Sequence, residues 1–207
     1  VLELTSGPSE TDVLTLVSVE QMKAQKRIVT NRENDFIKEC ILDAWGFIDG
    51  VEGKCRRAVL PQSYRFTLTR WCGYRFTLPV HGTRAVTKIS ATIGGAAPVD
   101  LLPSAFRVER TADGIDASVI IMPGTVLAGM VDGRDSVVIE FSAGWPDAAS
   151  VPRAFRRALR LIAAHFYDNR EETFGDNRVT VVSRSIELGA SKLLEKWIVP
   201  LDYAGIR

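Results

Sequence analysis

The residues able to do nucleophilic, acid–base or metal chemistry are few. There are two histidines, His81 and His165, and three cysteines, Cys40, Cys55 and Cys72. His165 precedes Asp168 by three residues in a stretch of helical period, so the two share a face, the minimum for a proton-transfer pair. No cysteine or second histidine stands beside them at ligand spacing, and Glu171 and Glu172 read as ordinary charges at a helix end. His165 therefore reads as a packed or interfacial histidine, and His81, before Gly82, as a loop residue. The cysteines are odd in number and lack metal spacing, which reads as buried thiols in a reducing compartment. No serine sits in a G-x-S-x-G setting. Gly94, Gly95, Gly124 and Gly129 form no phosphate loop and read as turns. Asp43 with Asp49, or Glu171 with Glu172, pairs carboxylates without a spacing that singles them out. The expectation is a protein that is not an enzyme and needs no metal or cofactor.

A different kind of chemistry lies in Arg153, Arg156, Arg157 and Arg160, four arginines in eight residues with no acid among them. They recur at helical spacing and repel one another, where a solvated helix face would ordinarily mix signs for i,i+4 pairing. Arg153 and Arg156 also sit near a helix N-terminus, the unfavourable end for cations. Solvent on one side, and an acidic protein or a DNA backbone on the other, are readings of equal weight. Base reading by this helix is disfavoured, because aromatic interleaving, a second basic patch and a helix-turn-helix turn are missing. Trp145, between a glycine and a proline, reads as a core aromatic. Trp197 and Tyr203, on either side of Pro200, suit burial against another chain.

The element that carries the arginines starts at Pro152, a plausible first helical position, and meets no further proline or glycine until Gly175. Phe155, Leu159, Ile162, Ala163 and Phe166 form its apolar stripe, and that stripe needs a partner. A second helix, opened by a Thr30/Glu33 capping box, supplies one through Ile37, Ile41, Ala44, Ile48, Val51 and Cys55. The expected helix packing sets Ile37, Ile41 and Ile48 against Phe155, Leu159, Ile162 and Phe166. Gly46, Gly50 and Gly53 weaken the second helix, which should fray or bend before Arg56. Ser18 and Gln21 make a weaker box opening a short helix to about Ile28, and residues 1–17 read as a loosely tied arm.

From Pro61 the period changes to that of strands. Tyr64 to Arg70 and Tyr74 to Leu78 suit a hairpin. Short strands are expected in 85–93, 99–102, 106–110, 115–121 and 135–141, with a turn at Asp113–Gly114 and another at Asp132–Gly133. A last short helix should run from Ile186 to Trp197, ended by Pro200. The fold class predicted is α+β: a helical core of two long amphipathic helices plus short helices, with an inserted small antiparallel β subdomain. The domains would be an arm (1–17), a helical core (18–60 and 145–198), a β insert (61–144) and a tail (199–207).

The 207 residues are 46% apolar and 25% charged with formal net charge +1, ordinary globular material without general affinity for nucleic acid. No apolar run approaches a membrane span, and the first residues carry no signal pattern, so no membrane partner is expected.

The order of motifs is familiar. Leu16-Val-Ser-Val-Glu-Gln-Met-Lys23 leads to Arg56-Arg-Ala-Val-Leu-Pro-Gln-Ser-Tyr-Arg-Phe-Thr-Leu68, then strands. The most specific part is Phe141 to Glu172, where Ala143-Gly144-Trp145 leads through Val151-Pro152 to the helix with His165, Tyr167, Asn169, Arg170 and Glu171. The chain resembles, over most of residues 14 to 198, the head–tail connector (adaptor) proteins of tailed phages and phage-derived gene transfer agents. The resemblance implies a structural subunit, a homo-oligomer assembling as a ring of twelve between the portal protein and a tail-side stopper or connector protein. The ring would extend a channel through which double-stranded DNA passes without sequence-specific binding. It implies a location at the head–tail junction of the particle, after assembly in the bacterial cytoplasm. By the same likeness Arg153, Arg156, Arg157 and Arg160 meet the portal or the channel, and the segment with Trp197, Leu201, Tyr203 and Arg207 docks a protein partner. The stretch from Pro61 to Gly144 is larger than in shorter relatives. Two alternatives stay open, a tail-completion or stopper-like virion protein and a nucleic-acid-binding module.

Overall fold

A computed structural model describes residues 1–69, 74–111, 116–125, 136–169 and 187–199. The described residues divide into two compact units, one drawn from Val1–Gly7 and Pro61–Trp145, the other from Pro8–Leu60 and Pro146–Val199.

The first unit is built on strands β1 (Leu2–Ser6), β2 (Gln62–Leu68), β3 (Arg75–Thr77), β4 (Thr83–Thr92), β5 (Val99–Asp100), β6 (Phe106–Arg110), β7 (Ala117–Ile121) and β8 (Ser136–Ala143). They form two antiparallel sheets, ordered β1-β2-β8-β4-β5 and β3-β7-β6. The period of two is clearest in central strand β8, where Val137, Ile139, Phe141 and Ala143 are buried and the residues between them are half-exposed. Its register with β2 runs from Gln62 opposite Ala143 to Leu68 opposite Val137. Just past β8, Gly144 has φ 96° and donates its N–H to the Gly82 carbonyl at 3.0 Å, a backbone conformation that favours glycine.

The second unit contains α1 (Glu10–Leu16), α2 (Val19–Lys26), α3 (Asn34–Ile48) and α4 (Arg153–Asp168), followed by short helical turns over Glu187–Ser191, Lys192–Leu194 and Glu195–Trp197. Ser9 with Asp12 caps α1, and Ser18 with Gln21 caps α2, each as a reciprocal capping box. α3 and α4 pack together, and α1 and α2 both lean on α3. The core of this unit includes Ile37, Ile41, Ala44 and Ile48 of α3 and Phe155, Ala158, Leu159 and Ile162 of α4, all buried; Phe166 is half-buried.

The predicted fold class needs correction. The molecule is a mixed α+β protein with two antiparallel sheets, and not a core of two long helices carrying a small β insert. Three physical causes account for the difference. Residues 2–6 are no free arm, because they hydrogen-bond to β2 as an edge strand, and residues 10–16 form α1. α3 stops at Ile48, where Asp49 turns extended and Gly50 takes φ 83°, so Val51 and Cys55 lie in an irregular loop. The strands are distributed over two sheets: β2 is filled on both edges by β1 and β8, and β3 pairs with β7, so the expected hairpin between them does not exist. Thr30 does not cap α3 either. The cap residue is Glu33, whose carboxylate accepts the hydroxyl of Tyr167 from α4.

Candidate interaction surface

Pro152 is the N-cap of α4 and not its first helical residue: its φ of −54° is fixed by the ring, its ψ of 142° is extended, and the first turn from Arg153 has neither an acid nor a capping side chain. The buried stripe of α4 turns Arg153, Arg156, Arg157 and Arg160 to the opposite side. Arg153 and Arg157 are exposed, and Arg156 and Arg160 half-buried. The Arg156 guanidinium donates to the Val151 carbonyl at 3.2 Å, while its buried Nε finds no acceptor among the described residues. None of the four lies within 4 Å of a carboxylate among the described residues. Among the described residues the face is therefore one-signed.

At the other end of α4, His165 and Asp168 are not brought together as a catalytic pair. Asp168 pairs with Lys26 of α2, and the His165 Nδ1 lies 3.1 Å from the Asn169 side-chain amide. Burial, only partly opposed by Asp168, lowers the His165 pKa below its ordinary value. Among the described residues no group of histidine, cysteine and carboxylates could hold a metal ion. His81 is a buried residue of the sheet unit, with Nδ1 2.5 Å from Asp116. Cys55 is fully buried, and desolvation pushes its thiol up to about 12. No described helix is long and apolar enough to cross a membrane.

Trp197 sits half-buried against Phe155 of α4, ring centroids 5.8 Å apart, with the Arg57 guanidinium 5.7 Å and the Lys196 ammonium 5.4 Å from its ring. The Val199 N–H donates to the Cys55 carbonyl, and the Arg56 guanidinium to the Val199 carbonyl. The segment up to Val199 is thus fastened to the helical unit. Leu201, Tyr203 and Arg207 lie outside the described residues.

One surface was missed in the sequence. Asp35, Glu39 and Asp43, at i, i+4 and i+8 of α3, are all exposed and point away from the buried Ile37–Ile41–Ile48 stripe. Their four-residue spacing was the available signal, obscured by reading Asp43 only as half of a carboxylate pair with Asp49. In the sheet unit, an apolar groove of about 670 Å³ is lined by Ile93, Val99, Leu102, Ala105 and Met122, among others.

No protein-family model matches this chain, and no curated protein sequence does. Solved structures do. The chain superposes with a TM-score of 0.72 and 18% identity, over 97% of its length and 96% of the other chain, on a protein in the neck of an empty gene transfer agent particle computed with C6 symmetry. It matches a chain of the virion of a native gene transfer agent particle at TM-score 0.68 and 19% identity, covering 96% and 95% of the two chains. A third match, to a chain in the neck of the native particle computed with C12 symmetry, has TM-score 0.66 and 17% identity over 97% and 96%. The whole chain, both units included, shares its fold with components of these particles.

Proposed function

We propose that this protein is a structural subunit of a head–tail junction, an adaptor that repeats as a ring, twelvefold by the C12 precedent, between a portal and the tail-side proteins. The observation that carries this reading is the end-to-end fold match to neck components of gene transfer agent particles. A match over nearly all of both chains is what a shared architectural role would leave, even at low identity. The ring extends the channel for double-stranded DNA, and the chain does no chemistry on it. The arginine face of α4 supplies a contact for an acidic surface in the assembly, portal and channel being the places assigned by resemblance. The chain from Trp197 to Arg207 supplies the portal contact, since Trp197 and Val199 anchor its start firmly on the helical unit.

The test is the solution mass of the purified chain, alone and mixed with the portal assembly of the same particle, repeated after removal of residues 200–207. Truncating after Val199 spares the Trp197–Phe155 contact and the backbone bond from Val199 to Cys55. The expected result is a ring's worth of copies bound by the portal and lost on truncation. A chain that ignores the portal in both forms would move the assignment to a tail-completion or stopper position.

A further inference from the structure

In the helical unit, α3 and α4 pack together, and each exposes a row of one sign on the side away from its own buried stripe. On α3 the outer row is Asp35, Glu39 and Asp43; on α4 it is Arg153, Arg157 and Arg160. At 1.5 Å per residue the acidic row is about 12 Å long and the basic row about 10 Å. None of the six has an oppositely charged group within 4 Å among the described residues.

A second observation falls on the same face of α3. Gly46 continues the acidic row at i+11, and a Cβ there would meet nothing within 4 Å, so no packing inside the chain requires glycine at this helical position. Beside it, Phe47 is 47% exposed; beside the arginine row, Leu161 is 36% exposed. A bare patch of helix, flanked by an aromatic ring and acids, suits the close approach of another helix that carries arginines and a leucine.

We propose that the acidic face of α3 in one copy docks on the arginine face of α4 in the next copy, with Phe47 and Leu161 as the apolar contacts between the charge rows. This rests on the ring reading above and names its subunit interface. The occupant is a second copy because the complement in sign, number and length lies on the chain itself. A twofold contact of either row with its own copy would set like charges against like, whereas a head-to-tail contact of one row on the other pairs them and closes when its rotation closes.

The experiment uses two full-length variants, Glu39→Arg/Asp43→Arg and Arg157→Glu/Arg160→Glu, studied by sedimentation alone, mixed in equal amounts, and in each case with and without the portal assembly. Each variant alone should associate at least about tenfold more weakly than the unmodified chain, because two of the three charges in one row now meet their like. The mixture should recover association, since the reversed row of each chain meets the reversed row of the other and the two unmodified rows meet as before. Association of the unmodified chain should also weaken as salt is raised. Retention of normal association by either variant alone, or a mixture no better than its components, overturns the docking. Thermal melting of each variant guards against misfolding. If a reversal does not fold, Glu39→Gln/Asp43→Asn and Arg157→Gln/Arg160→Gln replace it; each alone should associate more weakly, the mixture should recover pairs but no larger assembly, because the unmodified α3 face of one meets the unmodified α4 face of the other, and normal association by either alone would overturn the docking. Rings that form on the portal regardless of both reversals overturn this interface alone. An unmodified chain that stays monomeric in every condition overturns the ring and the interface together.

Discussion

Cys55 is fully buried in the loop after α3, and its backbone carbonyl accepts the Val199 N–H. Desolvation is the main cause of its pKa rising from 9.0 to about 12; Asp49 adds to the rise, and Arg57 and Lys54 oppose it. Two consequences follow for measurement. The thiolate is absent near neutral pH, so alkylation of native Cys55 should proceed only through unfolding and should accelerate many-fold in denaturant. Alkylation of the native protein at the rate of a free thiol would contradict this. The sign of the linkage is also fixed. With the folded pKa above the unfolded one, the contribution is fully present below about 9 and is lost as pH rises toward 12, because the unfolded thiol ionises first. Denaturant titrations should therefore show stability declining over that alkaline window, and a Cys55→Ala variant, less stable at neutral pH, should decline less steeply. The sequence suggested buried thiols from cysteine number and spacing alone; the backbone bond to Val199 joins residues 144 apart in the chain, and no local pattern announces it.

At the scale of elements, Gly46 offers the clearest test. In the isolated chain, Gly46→Ala should stabilise the fold by about 0.5–1 kcal/mol, since alanine removes backbone entropy at a helical position with open space around the Cβ. For a chain of this size that is a rise of about 1–4 °C in Tm by calorimetry. No change, or a fall, would mean that Gly46 serves the single chain and not a neighbour. Helices were legible where a stripe of period 3.6 met a stop signal. Pro152 and the Phe155–Leu159–Ile162 spacing located α4, and Ser18 with Gln21 located α2. α1 was missed because it has only two turns, although Ser9 and Asp12 carry the same capping logic. The strands were mostly found from their alternation, but their partners were not. β1 pairs with a strand about sixty residues away, and β2 and β3, neighbours in sequence, belong to different sheets. Pairing of this kind depends on contacts that no short window contains. The arginine face was legible from spacing and sign; the acidic face of α3 needed the structure, which showed that all three acids point away from the stripe.

The whole molecule has the fold of a neck component, and its charge distribution suits a part repeated by rotation. Net charge +1 is close to neutral, yet α3 and α4 each expose a row of one sign. Overall neutrality allows copies to approach, and segregated rows specify how they meet. The central claim is position: a rotationally repeated subunit at the junction of head and tail. It is tested most directly by electron cryomicroscopy of the particle that contains this chain, with the chain fitted into the reconstruction. The account predicts a ring of this fold around the channel at the neck, with α3 of each copy facing α4 of the next. Density for the chain elsewhere in the particle, or as a single copy off the axis, would contradict it.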